Sequence, residues 1–240
     1  MNKAQLIVAL DLETFEEARR LIDDVADSVE IFKVGSQIFT ALGPFITRYL
    51  QSKGKKVFLD LKFHDIPNTV AGAIKGAVGL SVSPSQDPNF APLFMLTVHT
   101  AGGKEMLEAA VLAGRAHSKS LGVPRPLIVG VTVLTSTAKS TDLENLVLER
   151  ARLAKQAGLD GVVASVEEAA AIRRELGQDF LIVTPGIRPA GSTLDDQKRA
   201  ASPQAAILQG SNFLVVGRPI IQAPSPRTAV LKILEEMKNK

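Results

Sequence analysis

VFLDLKFHDIPNT, residues 57–69, holds in one segment the pattern that decides the fold. Val57–Leu61 is an apolar run of strand length, and Pro67 stands where it can open a helix at its first position, whose N–H has no intrahelical partner anyway. A strand therefore hands over to a helix within a few residues. The same handover recurs outward in both directions. The other strand-length runs are Leu6–Leu10, Ile31–Val34, Leu93–Val98, Leu127–Leu134, Gly161–Ala164, Phe180–Thr184 and Phe213–Val216. Helical patterns fill the intervals, at 14–27, 36–53, 67–80, 103–121, 142–158, 166–176, 202–210 and 226–238. In the first of these, Phe15, Ala18, Leu21, Ile22 and Val25 recur at helical spacing, and Thr14 with Glu17 reads as a capping box. Strands that are apolar almost throughout must be covered on both faces, as in a parallel sheet flanked by helices. Eight alternations predict an α/β fold, a (β/α)8 barrel, in preference to an open doubly wound sheet.

The chain length of 240 residues fits one such barrel, and no composition break divides it, so a single domain over 1–240 is expected. Hydrophobic residues at 45% and charged residues at 22% exclude a disordered chain. No apolar run approaches the roughly 18 residues a membrane span needs. The first apolar run is stopped by Asp11, too early for a secretory signal, so the cytoplasm is the expected compartment. The absence of cysteine excludes thiolate nucleophiles, disulfides and iron–sulfur clusters. A net charge of +3 is spread along the chain, with one Tyr and no Trp for base stacking, so a small anionic ligand is expected rather than nucleic acid. The Pro/Ser-rich segment Ser81–Pro92 is long for a connection of its kind and is expected to be an exposed loop on the N-terminal face of the barrel.

Reactive groups of such barrels gather at the C-terminal ends of the strands. In chain order those ends carry Asp11, Lys33, Asp60 with Lys62, His99, Thr132 and Thr135, Ser165, Pro185 to Arg188, and Gly217-Arg218. A charge inside an apolar strand is costly unless it is paired. Asp60 and Lys62, two apart on a strand, share a face; Asp65 follows in the turn, and Lys33 comes from the neighbouring strand. These four form either an ion-pair network that fixes register or an array of two ammoniums and two carboxylates facing a ligand. The second is preferred, because barrel interiors favour Val, Ile and Leu. Between Asp60 and Asp65, Lys62 is expected to stay an ammonium and donate a proton rather than form a Schiff base. No metal site is expected, since Lys33 stands where a metal would want an oxygen ligand.

A second constellation, TPGIRP (184–189) with VVGRPI (215–220), closes the last two strands, where loops of this fold often bind phosphate. Gly217 permits close backbone approach, and Arg188 and Arg218 can grip an anion bidentately; the alternative is a pair of surface arginines at turns. Gln197, in the polar stretch PAGSTLDDQKR (189–199), could close over the same anion as part of a lid. His64 and His99 are expected to make structural hydrogen bonds, and His117 to lie solvated on a helix.

DLKFHDIPNT (60–69) closely resembles the signature of the orotidine 5′-phosphate decarboxylase family, in its bacterial form. VALD (8–11), FKVG (32–35), TVLTS (132–136), VTPGIRP (183–189) and VGRPI (216–220) are similar to the same family in the same order, so the resemblance spans nearly the whole chain. HTAGG (99–103), where the family would have HASGG, and the long Ser81–Pro92 segment depart from it. The resemblance implies a cofactor-free decarboxylation of orotidine 5′-monophosphate to UMP, with Lys33, Asp60, Lys62 and Asp65 as the charged network and Lys62 as proton donor. It also implies a homodimer in which Asp65, Ile66 and Thr69 enter the partner's site. Asp11 and Lys33 would hold ribose hydroxyls, and Thr135 the pyrimidine edge. Pro185 would line the site, and Arg188, Gln197, Gly217 and Arg218 would take the 5′-phosphate. Two other readings stand beside this one: a metal-dependent sugar-phosphate lyase or epimerase on the same barrel, and a non-catalytic protein that binds a phosphorylated metabolite.

Overall fold

A computed structural model of the chain describes residues 4–134, 137, 141–189 and 201–238. Its strands are β1 (Gln5–Ala9), β2 (Ile31–Gly35), β3 (Lys56–Phe63), β4 (Leu93–His99), β5 (Leu127–Val131), β6 (Gly161–Val163), β7 (Leu181–Thr184) and β8 (Phe213–Val216). They pair in sequence order, all parallel, and β8 returns to β1 to close the barrel. The helices are α1 (Phe15–Val25), α2 (Ser36–Leu42), α3 (Pro44–Ser52), α4 (Pro67–Gly79), α5 (Gly103–Leu121), α6 (Thr141–Gln156), α7 (Val166–Leu176), α8 (Pro203–Leu208), α9 (Arg218–Ile221) and α10 (Pro226–Glu236). No described helix is long and apolar enough to cross a membrane.

Strand alternation divides the apolar residues into two cores. Ile7, Ala9, Ile31, Phe58, Met95, Val129, Val183, Phe213 and Val215 fill the barrel lumen. Leu6, Val8, Leu10, Phe32, Val34 and Leu59, on the opposite strand faces, pack under the helices. Both faces are thus buried, which is why the strands read as continuous apolar runs. Register carries the lumen layer across strands: Ala9 lies beside Lys33, Lys33 beside Phe58, and Phe58 beside Met95. Lys33 therefore occupies a lumen position one layer above Ile31.

The predicted capping box forms: the Thr14 hydroxyl accepts from the Glu17 N–H, and the Glu17 carboxylate accepts from the Thr14 N–H. Ser165 and Glu168 make a second one at α7. The N-terminal face is clamped by Arg173, whose guanidinium donates to the carbonyls of Gly177, Gln178, Phe180 and Gly210 and to Asn212 Oδ1. This clamp lies at the end of the barrel opposite the C-terminal strand ends, where the chemistry of such folds gathers.

Four sequence expectations change in detail. The helix expected over 36–53 is two helices, because Gly43 adopts φ +59°, ψ −151°, which only glycine tolerates, and Pro44 opens the second. The fifth strand, expected to reach Leu134, stops at Val131. Beyond it the Val163 carbonyl accepts from both the N–H and the hydroxyl of Thr132, and the Thr132 carbonyl accepts from Arg150 at 2.6 Å, so side chains share the last bond of the ladder and then end it. The third strand runs to Phe63 instead of Leu61, at the cost of a register break between Leu59 and Phe63. A short helix, α9, follows β8 where none was expected. The Ser81–Pro92 segment lies at the N-terminal end of β4 as expected, yet it is anchored: the Ala91 N–H donates to the Gln51 carbonyl and the Leu93 N–H to Ser81 Oγ.

Candidate active site

At the C-terminal end of the barrel the strands surround a cavity of about 210 Å3. Its floor is lumen core, including Ala9, Phe58 and Val215. On the β1–β3 side the lining is charged, with Asp11, Lys33, Asp60 and Lys62. On the β5–β7 side it is apolar, with Val131, Val133, Leu134, Val163 and Val183. Pro185, Gly186, Arg188, Gly217 and Arg218 complete the rim after β7 and β8.

The charged groups form an alternating chain. Lys33 Nζ lies 3.0 Å from Asp11 Oδ1 and 3.5 Å from Asp60 Oδ2, and Lys62 Nζ lies 2.9 Å from the same Asp60 oxygen. Asp60 is only 7% exposed, so its charge depends on these two ammoniums and on the Thr97 hydroxyl, which donates to Oδ1 at 3.1 Å. The four formal charges cancel, and the outer ammonium, Lys62, faces the cavity with about a third of its side chain exposed. Such an ammonium can supply a fixed field and a proton to an atom bound in front of it.

The array expected from spacing is corrected in one member. Within the chain the second carboxylate is Asp11, not Asp65. The Asp65 carboxylate is exposed and accepts from the Ile66 N–H at 2.6 Å, because the turn to Pro67 carries it away from the lumen. Ile66, 66% exposed, and Thr69, also exposed, lie outside the cavity lining. Thr135 and Gln197 lie outside the described residues.

The two arginines are not surface residues. Arg188 is 8% exposed and Arg218 half-buried, and both line the cavity. The loop after β7 is pinned to the far side of its connection: the Arg188 N–H donates to the Ala201 carbonyl at 2.9 Å, and the Ala201 N–H to the Gly186 carbonyl. At Gly217 a Cβ would lie 3.3 Å from Asp11 Oδ2 and 3.4 Å from the Ala9 Cβ, so a side chain there would crowd the carboxylate end of the array. Arg188 and Arg218 thus give one sector of the rim a cationic character suited to an anion.

His64 and His99 stack with ring centroids 5.3 Å apart, and His99 Nδ1 accepts from the Ala101 N–H. The expected structural hydrogen bond is therefore present at His99. Burial pushes its imidazole below the ordinary value, and the positive charges of His64, Arg150 and Lys62 push it the same way, so it stays neutral near pH 7. His117 is half-buried on α5 rather than fully solvated.

Three contributors escape a sequence reading. Thr97 looks like an ordinary strand residue in LFMLTVH, and Arg150 like an ordinary helix cation. Gly35 reads as a mere strand end, yet a Cβ there would come within 2.7 Å of Lys33 Nζ. Only Thr97 left a trace, as a polar residue at a lumen position between Met95 and His99.

The orotidine 5′-phosphate decarboxylase / HUMPS family model matches residues 4–233. The chain is 45% identical to an orotidine 5′-phosphate decarboxylase of Moorella thermoacetica, covering 98% of this chain and 92% of that one. It is 44% identical to an orotidine 5′-phosphate decarboxylase of Vibrio cholerae, over 99% and 98% of the two chains. Among solved structures, the orotidine 5′-phosphate decarboxylase of Lactobacillus acidophilus superposes with a TM-score of 0.82 at 34% identity, over 98% of this chain and 100% of that chain. With the barrel, the ion array at its C-terminal end and a family match over almost its full length, the chain belongs to the orotidine 5′-phosphate decarboxylase / HUMPS family.

Proposed function

We propose that this chain decarboxylates orotidine 5′-monophosphate to UMP and CO2, as one catalytic domain over 1–240, working in the cytoplasm as a homodimer. The observation that carries the reading is the Asp60 oxygen shared by two ammoniums, 2.9 Å from Lys62 and 3.5 Å from Lys33, opposite an apolar wall. The names of the relatives support it. When the bond from C6 to the carboxylate breaks, its electron pair stays on C6 in an orbital the ring cannot delocalise. A preorganised ammonium beside C6 stabilises that pair. The Lys62 proton then moves to C6, and Lys62 regains a proton from solvent. Asp60, near the departing carboxylate, adds repulsion in the bound substrate that CO2 release relieves.

The remaining residues bind and orient. Asp11 and Lys33 hold ribose hydroxyls, while the apolar wall and Pro185 cover the base, with Thr135 reading its edge. Arg188, Arg218, Gly217 and Gln197 take the 5′-phosphate, whose binding energy favours the reactive state. Asp65, Ile66 and Thr69, exposed on their own chain, are contributed to the site of a second copy.

The test is a spectrophotometric assay of purified protein with orotidine 5′-monophosphate, with and without EDTA. Loss of substrate absorbance with stoichiometric UMP and CO2, unaffected by EDTA, is expected. Binding without CO2 release would establish a non-catalytic phosphometabolite-binding protein, and activity abolished by EDTA and restored by a divalent metal would establish metal-dependent chemistry.

A further inference from the structure

Lys62 is one of two non-glycine residues with positive φ among the described residues, at φ 52°. It sits where the β3–β4 pairing slips: Leu59 pairs with Leu96 and Phe63 with Val98, so Asp60, Leu61 and Lys62 stand opposite Thr97 alone. Extra residues in one strand of a pair make a bulge, which re-aims side chains and takes backbone groups out of the ladder. A left-handed conformation is costly for a residue with a Cβ, and it persists only where surrounding contacts over-determine it. Here the Lys62 N–H donates to Thr97 Oγ1 at 2.8 Å. The same hydroxyl sends its own hydrogen to Asp60 Oδ1 at 3.1 Å. Thr97 is fully buried, so no solvent competes for either bond.

We propose that Thr97 is a positioning residue for the proton donor: one hydroxyl holds the bulged backbone of Lys62 and turns the Asp60 carboxylate so that its other oxygen lies between the two ammoniums. The branched side chain suits the task. A β-branched residue in a strand has a restricted χ1, so the hydroxyl direction is fixed by the methyl group's packing. Valine keeps that shape and loses both bonds, leaving the Lys62 N–H and Asp60 Oδ1 to find other partners. Serine keeps the hydroxyl and loses the stiffness.

The inference rests on the decarboxylase reading, and its test separates the two. Thr97→Val and Thr97→Ser are compared with the unaltered protein in kcat, KM and affinity for UMP, with circular dichroism as the check on folding. Thr97→Val is expected to lower kcat on the order of 10–100-fold, the usual consequence of loosening a group that orients a catalytic one. UMP affinity should stay within a few-fold, and Thr97→Ser should recover most of the lost kcat. Thr97→Ala gives the same comparison with serine where the valine variant does not fold. An unchanged kcat in the valine variant overturns the proposal. So does a serine variant as poor as valine, or kcat and UMP affinity falling together, either of which marks general packing. A crystal structure of Thr97→Val adds a readout independent of the reaction: Lys62 should leave positive φ, and a retained left-handed Lys62 overturns the positioning role even if the unaltered protein proves not to be a decarboxylase.

Discussion

The Lys62 ammonium rests 2.9 Å from the Asp60 carboxylate while Lys62 itself has left-handed backbone, so the pair is created by a bulge in β3 and not by regular strand alternation. Because Asp60 is buried and also engages Lys33, it anchors the array, whereas Lys62 is the more open of the two ammoniums.

That asymmetry sets what Lys62→Ala should do. Asp60 keeps Lys33 as a counter-charge, so the fold should hold, with an unfolding midpoint close to that of the unaltered protein. Turnover of orotidine 5′-monophosphate should fall by at least about 10^4-fold, because general acid and local field are lost together. Turnover and circular dichroism measured on one preparation check both statements; a folded variant with substantial turnover would remove Lys62 from the chemistry.

Gly35→Ala tests the inner ammonium without touching a charged residue. The added Cβ would stand 2.7 Å from Lys33 Nζ, the flexible end of a side chain, so the lysine can yield and the protein should lose little stability. Gly35 has φ −95°, which alanine accepts. The displaced ammonium can no longer bridge Asp11 and Asp60 at 3.0 and 3.5 Å, and turnover should drop about 10-fold, in the range expected for a misplaced orienting group. Steady-state kinetics beside thermal unfolding decide it. A large stability loss with unchanged kinetics would show that the bridge is structural.

How far the array could be read from the sequence depends on what each residue looks like in its strand. Lys33, Asp60 and Lys62 interrupt apolar runs and announce themselves. Asp65 is as conspicuous, but the chain direction after a bulge is not visible in DLKFHD, so its departure from the lumen is not either. Thr97 is hard to read for the opposite reason: its one trace is a polar residue at a lumen position, and threonine is a good strand former that raises no strong anomaly in LFMLTVH. The barrel itself is legible because two-sided burial makes every strand apolar. Its boundaries are less so where a side chain takes the next carbonyl and ends the ladder, as Arg150 does at Thr132, or where a glycine turn splits a periodic helix, as at Gly43.

His99 should give stability a dependence on acidity. Its folded-state imidazole is held below the usual value of about 6.5, first by burial and then by neighbouring positive charge. The unfolded chain therefore binds this proton before the folded one does. Above the unfolded value both states are neutral and His99 contributes no slope. As pH falls below about 6.5, the unfolded state is favoured progressively, until the folded value is reached. Protonation of Nδ1 would also cost the bond from the Ala101 N–H. Urea unfolding at pH 7.5 and pH 5.5 should show a larger loss for the unaltered protein than for His99→Asn, since carboxylate effects are common to both. Equal losses would mean that His99 titrates freely.

The exposed Asp65 supports the last prediction, which concerns the dimer. Asp65 faces away from its own cavity, and Ile66 beside it is a large apolar side chain in the open. If both belong to the site of a second copy, each site needs Lys62 from one chain and Asp65 from the other. A two-fold dimer then has two equivalent sites of this kind. Lys62→Ala and Asp65→Ala should each form inactive homodimers. In a mixed dimer one site carries both lesions and the other carries neither, since its lysine comes from the Asp65→Ala chain and its aspartate from the Lys62→Ala chain. Random re-pairing of equal amounts makes about half the dimers mixed, so roughly one site in four should be intact. Mixing the two variants after brief dissociation should restore about a quarter of the activity per site, with mixed dimers verified by differently tagged chains. Mixed dimers that stay inactive would mean that Asp65 acts within its own chain, and the turn from Phe63 to Pro67 would then have to fold inward on substrate binding.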